Sequence, residues 1–113
     1  MQFLALIYAG EDSDDVEIGE LIEQYRAFDD EANAAGVIVG GNALEAVSTA
    51  KSVQLRNGNT HITDGPFAET KEQLGGYYLL ECNSLDEAIK WAAKIPSARY
   101  GTIEVRPIMV FDH

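Results

Sequence analysis

Two segments with helical periodicity, each enclosed between short apolar runs, constrain the fold of this 113-residue chain more than any other feature. The first apolar run, residues 3–8, has no polar alternation and ends before Gly10. Such a run indicates a central strand that is buried on both faces. The predicted elements, in chain order, are strand 3–8, helix 14–35, strand 37–44, strands 52–56 and 60–63, strand 75–82, a helix from 84 to 96 and strand 102–110.

Both predicted helices have recognisable ends. Asp14 is placed to cap the first helix, and Gly36 suits the C′ position that follows it. In the second helix, Ser84 and Glu87 have the spacing of a capping box, and Pro96 ends the helical pattern. Its apolar side is expected to carry Leu85, Ala88, Ile89 and Ala92.

A β-hairpin separates the two β-α-β halves. Asn57 and Gly58 form the turn between the alternating segments 52–56 and 60–63. The order predicts one α+β domain over residues 1–113, with a ferredoxin-like antiparallel sheet and both helices on one face. The other face would carry Tyr77 or Tyr78 and further apolar groups. Since a monomer would leave these apolar groups exposed to solvent, we expect a homodimer. In this homodimer the two sheets would form a dimeric α+β barrel with a barrel-like interior.

The chain is strongly acidic, with 8 Lys+Arg, 19 Asp+Glu and a formal net charge of -11. Ten of the acidic residues lie in the segment 11–31, which has one basic residue, Arg26. This charge gives no attraction for nucleic acid or anionic membranes, so neither is an expected partner. The acidic helix is interpreted as a solvated surface, with a docking face for a basic partner as the alternative.

Other simple functional classes lack their residue patterns. Cys82 is the single cysteine and is expected to be a buried thiol. No Cys-x-x-Cys or His/Cys cluster indicates a metal, and no motif implies an organic cofactor. The N-terminal apolar run is too short for a signal peptide core, so a cytoplasmic location is expected.

The run from Thr63 to Tyr77 is the most informative stretch of the sequence. Asp64, Gly65 and Pro66 predict a tight, rigid turn, and Phe67 is expected to anchor the loop in the core. Charged residues follow, and the pair 75–76 lets the backbone bend into the next strand. A constrained, charged loop beside a sheet is a plausible place for a functional site.

This run closely resembles the signature of the DGPF proteins, within the YCII-related (YciI-like) superfamily. The resemblance implies a dimeric α+β barrel in a small cytoplasmic bacterial protein without a settled activity. Related genes often accompany extracytoplasmic-function sigma factors. The YciI branch carries a His–Asp pair proposed as catalytic, but His61 and His113 both lie outside the early helix-to-strand region, so the pair is not carried over. Further matching segments are 3–8, 35–37, 40–41, 85–88, 91–93, 95–96 and 104–108.

Asp64 and Glu69 are the candidate acid–base residues. Asp64 is chosen by its position in the motif, although aspartate before Gly-Pro is also a common turn former that bonds its own backbone. Glu69 and Glu72 could form a paired-carboxylate site, but Lys71 between them equally favours ion pairs at the surface. Both interpretations stay open for all three acidic residues.

The candidate ligand-binding residues are Arg106, Lys71, Tyr77, Glu72 and Tyr8. Arg106 lies on the polar side of the last predicted strand. If that side faces the dimer interior, the cation needs an anion, from Glu104, Glu81, a loop carboxylate or a ligand. A tyrosine hydroxyl on the bare sheet face could orient a ligand, with core packing as the alternative. His61 is expected to face solvent.

Taken together, these features predict a protein that binds, or also transforms, a small polar or aromatic metabolite. The pocket is expected between the two sheets of the dimer, near the loop 64–71. The alternative is a regulatory interaction module linked to an extracytoplasmic-function sigma factor. The sequence does not decide whether the protein is an enzyme.

Overall fold

The computed structural model describes residues 1–10 and 17–111, which form a four-stranded antiparallel sheet with two helices on one face and a separate two-stranded hairpin. The elements are β1 Gln2–Ala9, α1 Ile18–Ala34, β2 Ile38–Ala43, β3 Lys51–Arg56, β4 Asn59–Asp64, β5 Gln73–Glu81, α2 Leu85–Ala92 and β6 Thr102–Pro107. The order of the four-stranded sheet is β2-β5-β1-β6, the ferredoxin-like order once the hairpin is set aside. The predicted α+β fold is confirmed.

The sheet has one face covered by helices and one open face. Phe3, Ala5 and Ile7 of β1 point toward the helices and are buried. Leu4 and Leu6 alternate with them onto the open face and are only half-buried. The prediction of a strand buried on both faces is therefore wrong for a single chain. The continuous apolar run reflects two different surroundings, a helical layer on one side and an uncovered surface on the other.

Helix α1 packs on the sheet through Phe28 and Ala32. Asp14, the predicted N-cap, lies outside the described residues; the described helix begins at Ile18, and Glu17 occupies the N-cap position without a side-chain capping bond. The C-terminal prediction is confirmed, because Gly36 has a φ of +73°, and its amide donates to the Asn33 carbonyl.

The paired glycines let β2 and β5 lie close together. The register between these strands shifts between Ile38 and Gly40, which marks a β-bulge beside the glycine pair 40–41. A Cβ on Gly41 would lie 2.7 Å from the Tyr77 carbonyl oxygen, so only glycine fits there. A second register shift lies opposite Gly75, between β1 and β5.

Strands β3 and β4 form a projecting hairpin, which we call the arm (Lys51–Asp64). Its predicted turn is confirmed, with positive φ at Asn57 and Gly58. Every arm residue except Ser52 is exposed. Phe67, expected to anchor the following loop in the core, is 85% exposed, so that prediction is wrong. The radius of gyration is 16.1 Å, against about 13 Å for a compact chain of this length.

Helix α2 begins at the predicted cap. Ser84 Oγ accepts from the Glu87 amide, while the Glu87 carboxylate accepts from the Asn83 amide rather than from Ser84 itself. Ala88 and Ala92 are buried, whereas Leu85 and Ile89 are about half exposed, so the apolar side is only partly covered. Pro96 opens a 3₁₀ helix, Pro96–Arg99, that follows α2.

The last strand is shorter than predicted. It ends at Pro107, although the Ile108 amide still donates to the Gln2 carbonyl of β1 at 2.8 Å, and the apolar residues 108–111 are exposed. Cys82 is buried, as predicted, and burial raises the pKa of its thiol.

Candidate functional site

A cleft with a volume of about 970 Å³ lies between α1 and the helix-covered face of the sheet. Its apolar wall includes Ile7 of β1, Leu21 and Ile22 of α1, and Leu44 after β2. The volume falls within the range of small-molecule sites. Two of the residues that line the cleft, Ile18 and Ile22, are more than half exposed.

Four polar side chains from three elements converge in this cleft. The Tyr78 hydroxyl on β5 donates to Asp29 Oδ1 on α1 at 2.6 Å, and the Tyr25 hydroxyl lies 2.6 Å from Ser97 Oγ in the 3₁₀ helix. All four are at least partly shielded from solvent. We call these four residues the polar cluster. An apolar cleft with a few convergent polar groups is the usual composition of a ligand site.

The pKa of each tyrosine in the polar cluster is raised above its ordinary value. Burial raises the pKa of Tyr78 well above its ordinary value, and the hydrogen bond to Asp29 and the charge of Asp29 raise it further. Burial likewise raises the pKa of Tyr25; hydrogen bonding with Ser97 lowers it and the charge of Asp29 raises it. Both phenols are therefore neutral at physiological pH, which leaves Asp29 as the charged member of the cluster.

The spacing along α1 explains why its two cluster residues reach the cleft. Leu21, Tyr25, Phe28 and Ala32 follow the 3–4 residue spacing of one helix face. Asp29 is four residues after Tyr25 and lies beside this face. Phe28 packs against the Tyr78 ring, with centroids 5.2 Å apart, and so holds that tyrosine next to the helix.

Several of the predicted ligand residues lie on the open face of the sheet, away from the polar cluster. Tyr8 pairs with Thr102, whose hydroxyl donates to Glu72 Oε1 at 2.8 Å. Tyr77 accepts a hydrogen bond from Asn42 Nδ2 at 2.9 Å and borders the cleft as well. Arg106 is four residues beyond Thr102 on β6, about 13 Å away at the rise of a strand.

The predicted loop residues do not meet at one site in a single chain. Asp64 forms an exposed ion pair with Lys51, across the base of the arm, rather than bonding its own backbone. Glu69 and Lys71 are exposed. Arg106 forms an ion pair with Glu104 at 2.5 Å, the nearest of the anions that the sequence offered. The acid–base role of Asp64 and Glu69 and the ligand-binding role of the other residues stay predictions.

Sequence reasoning placed the pocket between two sheets and missed the polar cluster. The sequence leaves open whether Tyr77 or Tyr78 faces the bare side, and the pairing of Tyr78 with Ala5 places Tyr78 on the helix side. The sequence marks Asp29 only as part of the acidic helix surface, although its position four residues from Tyr25 is a usable signal. Ser97 follows Pro96 in a segment for which the sequence predicted only a helix end.

Neither a metal-binding cluster nor a membrane-spanning helix is found in the described part of the chain. Within residues 1–10 and 17–111, no three acidic, histidine or cysteine side chains come together in a way that could hold a metal ion. In the same part of the chain, no helix has the length and apolar character needed to cross a membrane. A cytoplasmic location stays a prediction.

The fold and the cleft define a small α+β protein of ferredoxin-like topology with a ligand-sized cleft between helix and sheet. The sequence profile of the YCII-related domain matches residues 1–112, and the chain belongs to that family. The predicted superfamily is thereby confirmed.

The chain is 45% identical over 75 residues to the uncharacterized protein R00369 of Rhizobium meliloti (strain 1021); the match covers 63% of this chain and 60% of that protein. The fold is similar to that of 5-chloro-2-hydroxyhydroquinone dehydrochlorinase (TftG) from Burkholderia phenoliruptrix AC1100, in complex with 2,5-dihydroxybenzoquinone. This match has a TM-score of 0.60 and 17% identity, and covers 96% of this chain and 94% of the other. It shows a shared fold.

Proposed function

We propose that the cleft between α1 and the sheet binds a small ring-shaped metabolite. The observation that carries this proposal is the convergence of Tyr25, Asp29, Tyr78 and Ser97 on the wall of an otherwise apolar cleft. Apolar walls favour the faces of a ring, and the polar cluster supplies hydrogen bonds to its substituents. The dehydrochlorinase of similar fold is itself in complex with a small ring compound.

The test is a thermal-shift and calorimetric screen of small ring compounds, with 2,5-dihydroxybenzoquinone as the first probe. Binding is expected to weaken at least about tenfold in Tyr25→Phe, which removes one hydroxyl from the cleft. Tyr8→Phe is the matched control, because Tyr8 lies on the opposite face of the sheet. Failure of the whole panel to bind would refute the proposal.

The same screen separates this cleft from the predicted pocket between two sheets. If the ligand occupies the dimer interior, Arg106→Ala and Tyr8→Phe weaken binding and Tyr25→Phe does not. Chemical conversion of a bound compound is measured as a change in its absorbance spectrum over time. Asp64→Ala and Glu69→Gln then test the predicted acid–base residues directly, since both side chains are exposed and their loss leaves the core intact.

We further propose that two copies of the chain pack through their open sheet faces. The support is the half-buried apolar surface formed by Leu4, Leu6, Tyr77 and Leu79 in one chain. The arm also supports association, because an isolated two-stranded hairpin is marginally stable in water. Sedimentation at micromolar concentration tests this. We expect a dimer for the native chain and a monomer for Leu6→Asp, which places a charge at the centre of the open face.

The second candidate function is a regulatory module linked to an extracytoplasmic-function sigma factor. It is favoured by the exposed acidic side chains of α1, which include Glu20, Glu23 and Asp30. A direct binding measurement with a purified sigma factor of this type decides the matter. Neutralising these three residues together should abolish the interaction, and unchanged binding would remove the candidate.

We also propose, from the run that begins at Asp64, that the chain belongs to the DGPF branch of its family.

A further inference from the structure

Asp29 gives the cleft a strong hydrogen-bond acceptor. Its Oδ1 already accepts from Tyr78 at 2.6 Å. Among the described residues, no hydrogen bond is found to its second oxygen, Oδ2. A partly buried carboxylate with one unoccupied oxygen is ready to accept a hydrogen bond from a ligand, and a bond of that kind is stronger than one between neutral groups.

The surroundings of Asp29 do not offset its charge inside the cleft. Among the described residues that line the cleft, the cationic one is Arg26, whose side chain is exposed and pairs with Glu23 at 3.1 Å. The neighbouring Tyr25, Tyr78 and Ser97 contribute neutral hydroxyls. An anionic group placed beside this cluster would meet like charge in a partly desolvated site, which is unfavourable.

These observations set the chemistry of the ligand. We infer that the cleft selects neutral ring compounds that carry a hydroxyl donor and rejects the corresponding ring carboxylates. The hydroxyl donates to Asp29, while the paired hydroxyls of Tyr25 and Ser97 retain one hydrogen for a second ring substituent. This inference rests on the proposed function and names the ligand class of the same cleft.

The test compares two matched probes at pH 7, resorcinol as the neutral hydroxyl compound and benzoate as the anion. Nuclear magnetic resonance titration of the full chain gives both dissociation constants. We expect resorcinol to bind at least about tenfold more tightly, because a hydrogen bond to a charged group is stronger than one between neutral groups and benzoate meets like charge. In Asp29→Asn, which keeps the shape and an acceptor for Tyr78, the preference is expected to fall below about threefold.

Asp30→Asn is the control variant. It removes the same charge one position further along α1, from an exposed side chain that does not line the cleft, and should leave the preference unchanged. Equal or tighter binding of benzoate by the native chain overturns the inference and leaves the proposed function standing. A preference that survives in Asp29→Asn also overturns it. If neither probe binds, the inference fails, and the proposed function is then decided by the wider panel of ring compounds.

Discussion

The hydroxyl of Tyr78 donates to Asp29 Oδ1 at 2.6 Å and thereby joins the central part of β5 to the middle of α1. The bond is partly buried, and Phe28 packs against the Tyr78 ring beside it. It serves two purposes in one geometry. It fixes the helix against the sheet, and it holds the Asp29 carboxylate at the wall of the cleft.

Removal of this hydroxyl should destabilise the fold. Tyr78→Phe leaves a partly buried carboxylate oxygen without its donor, so we expect the free energy of unfolding to fall by about 1–3 kcal/mol. Urea denaturation gives this value. Tyr77→Phe is the matched control, because its hydroxyl bonds to Asn42 at an exposed position, and its cost should be about 0.5 kcal/mol or less.

Stability should also depend on Tyr78 at high pH. Its pKa in the folded protein is raised above the ordinary value of 10.0 by burial and by Asp29. Below pH 10 both folded and unfolded chains keep the proton; above it the unfolded chain loses the proton first, so stability falls as pH rises. Melting temperatures from pH 8 to 11 should therefore decline more steeply for the native chain than for Tyr78→Phe. Parallel curves would contradict the assignment.

Gly101 is required by the packing of β6 against β1. A Cβ at this position would overlap the carbonyl oxygen of Tyr8, and backbone cannot move aside cheaply. We expect Gly101→Ala to lower the free energy of unfolding by about 2–4 kcal/mol. Gly40→Ala is the control, because nothing lies within 4 Å of its Cβ position and its φ is not positive. Similar stability losses in the two variants would show that the close approach is not limiting.

The cap of α2 should contribute a measurable amount on its own. Ser84→Ala removes the bond from the Glu87 amide and is expected to cost about 1 kcal/mol in urea denaturation. Asn83→Ala is the control, since Asn83 contributes only its backbone amide to Glu87. A cost in Asn83→Ala equal to that in Ser84→Ala would exclude the cap as the cause.

The arm should take part in association through one of its faces. Val53 and Ile62 are cross-strand partners on its apolar face, each more than 60% exposed. Replacing both with serine should weaken the proposed dimer at least about tenfold in sedimentation equilibrium, because burial of each side chain contributes about 1.5–3 kcal/mol. The matched control replaces Gln54 and His61, the partners on the other face, with serine. Equal dissociation constants for the two double variants would show that the apolar face makes no contact.

Much of the fold could be predicted because its signals are local. The turn at Asn57–Gly58, the cap at Ser84 and the glycine at position 36 each depend on a few neighbouring residues. The ferredoxin-like order followed from the sequence of elements alone. The burial of β1 did not, because its apolar run is the same whether the second face meets a helix or a second chain.

The candidate site was harder to predict because it depends on distant pairs. Tyr78 and Asp29 are 49 positions apart, and Tyr25 and Ser97 are 72 apart. No local pattern marks such partners; only the strand register decides whether Tyr77 or Tyr78 faces the helices. The rigid turn at Asp64 indicated a functional site in the loop that follows it. In a single chain, however, Asp64 contacts Lys51 and not the cleft.

The seclusion of Cys82 has a practical consequence. The chain contains one cysteine, and its side chain is only 3% exposed, with a thiol that resists ionisation. Maleimide reagents should therefore not react with the Cys82 thiol in the native state. A second cysteine introduced at a chosen surface position can therefore carry a fluorophore or a spin label without replacement of Cys82, and distances from that position can be measured by spectroscopy.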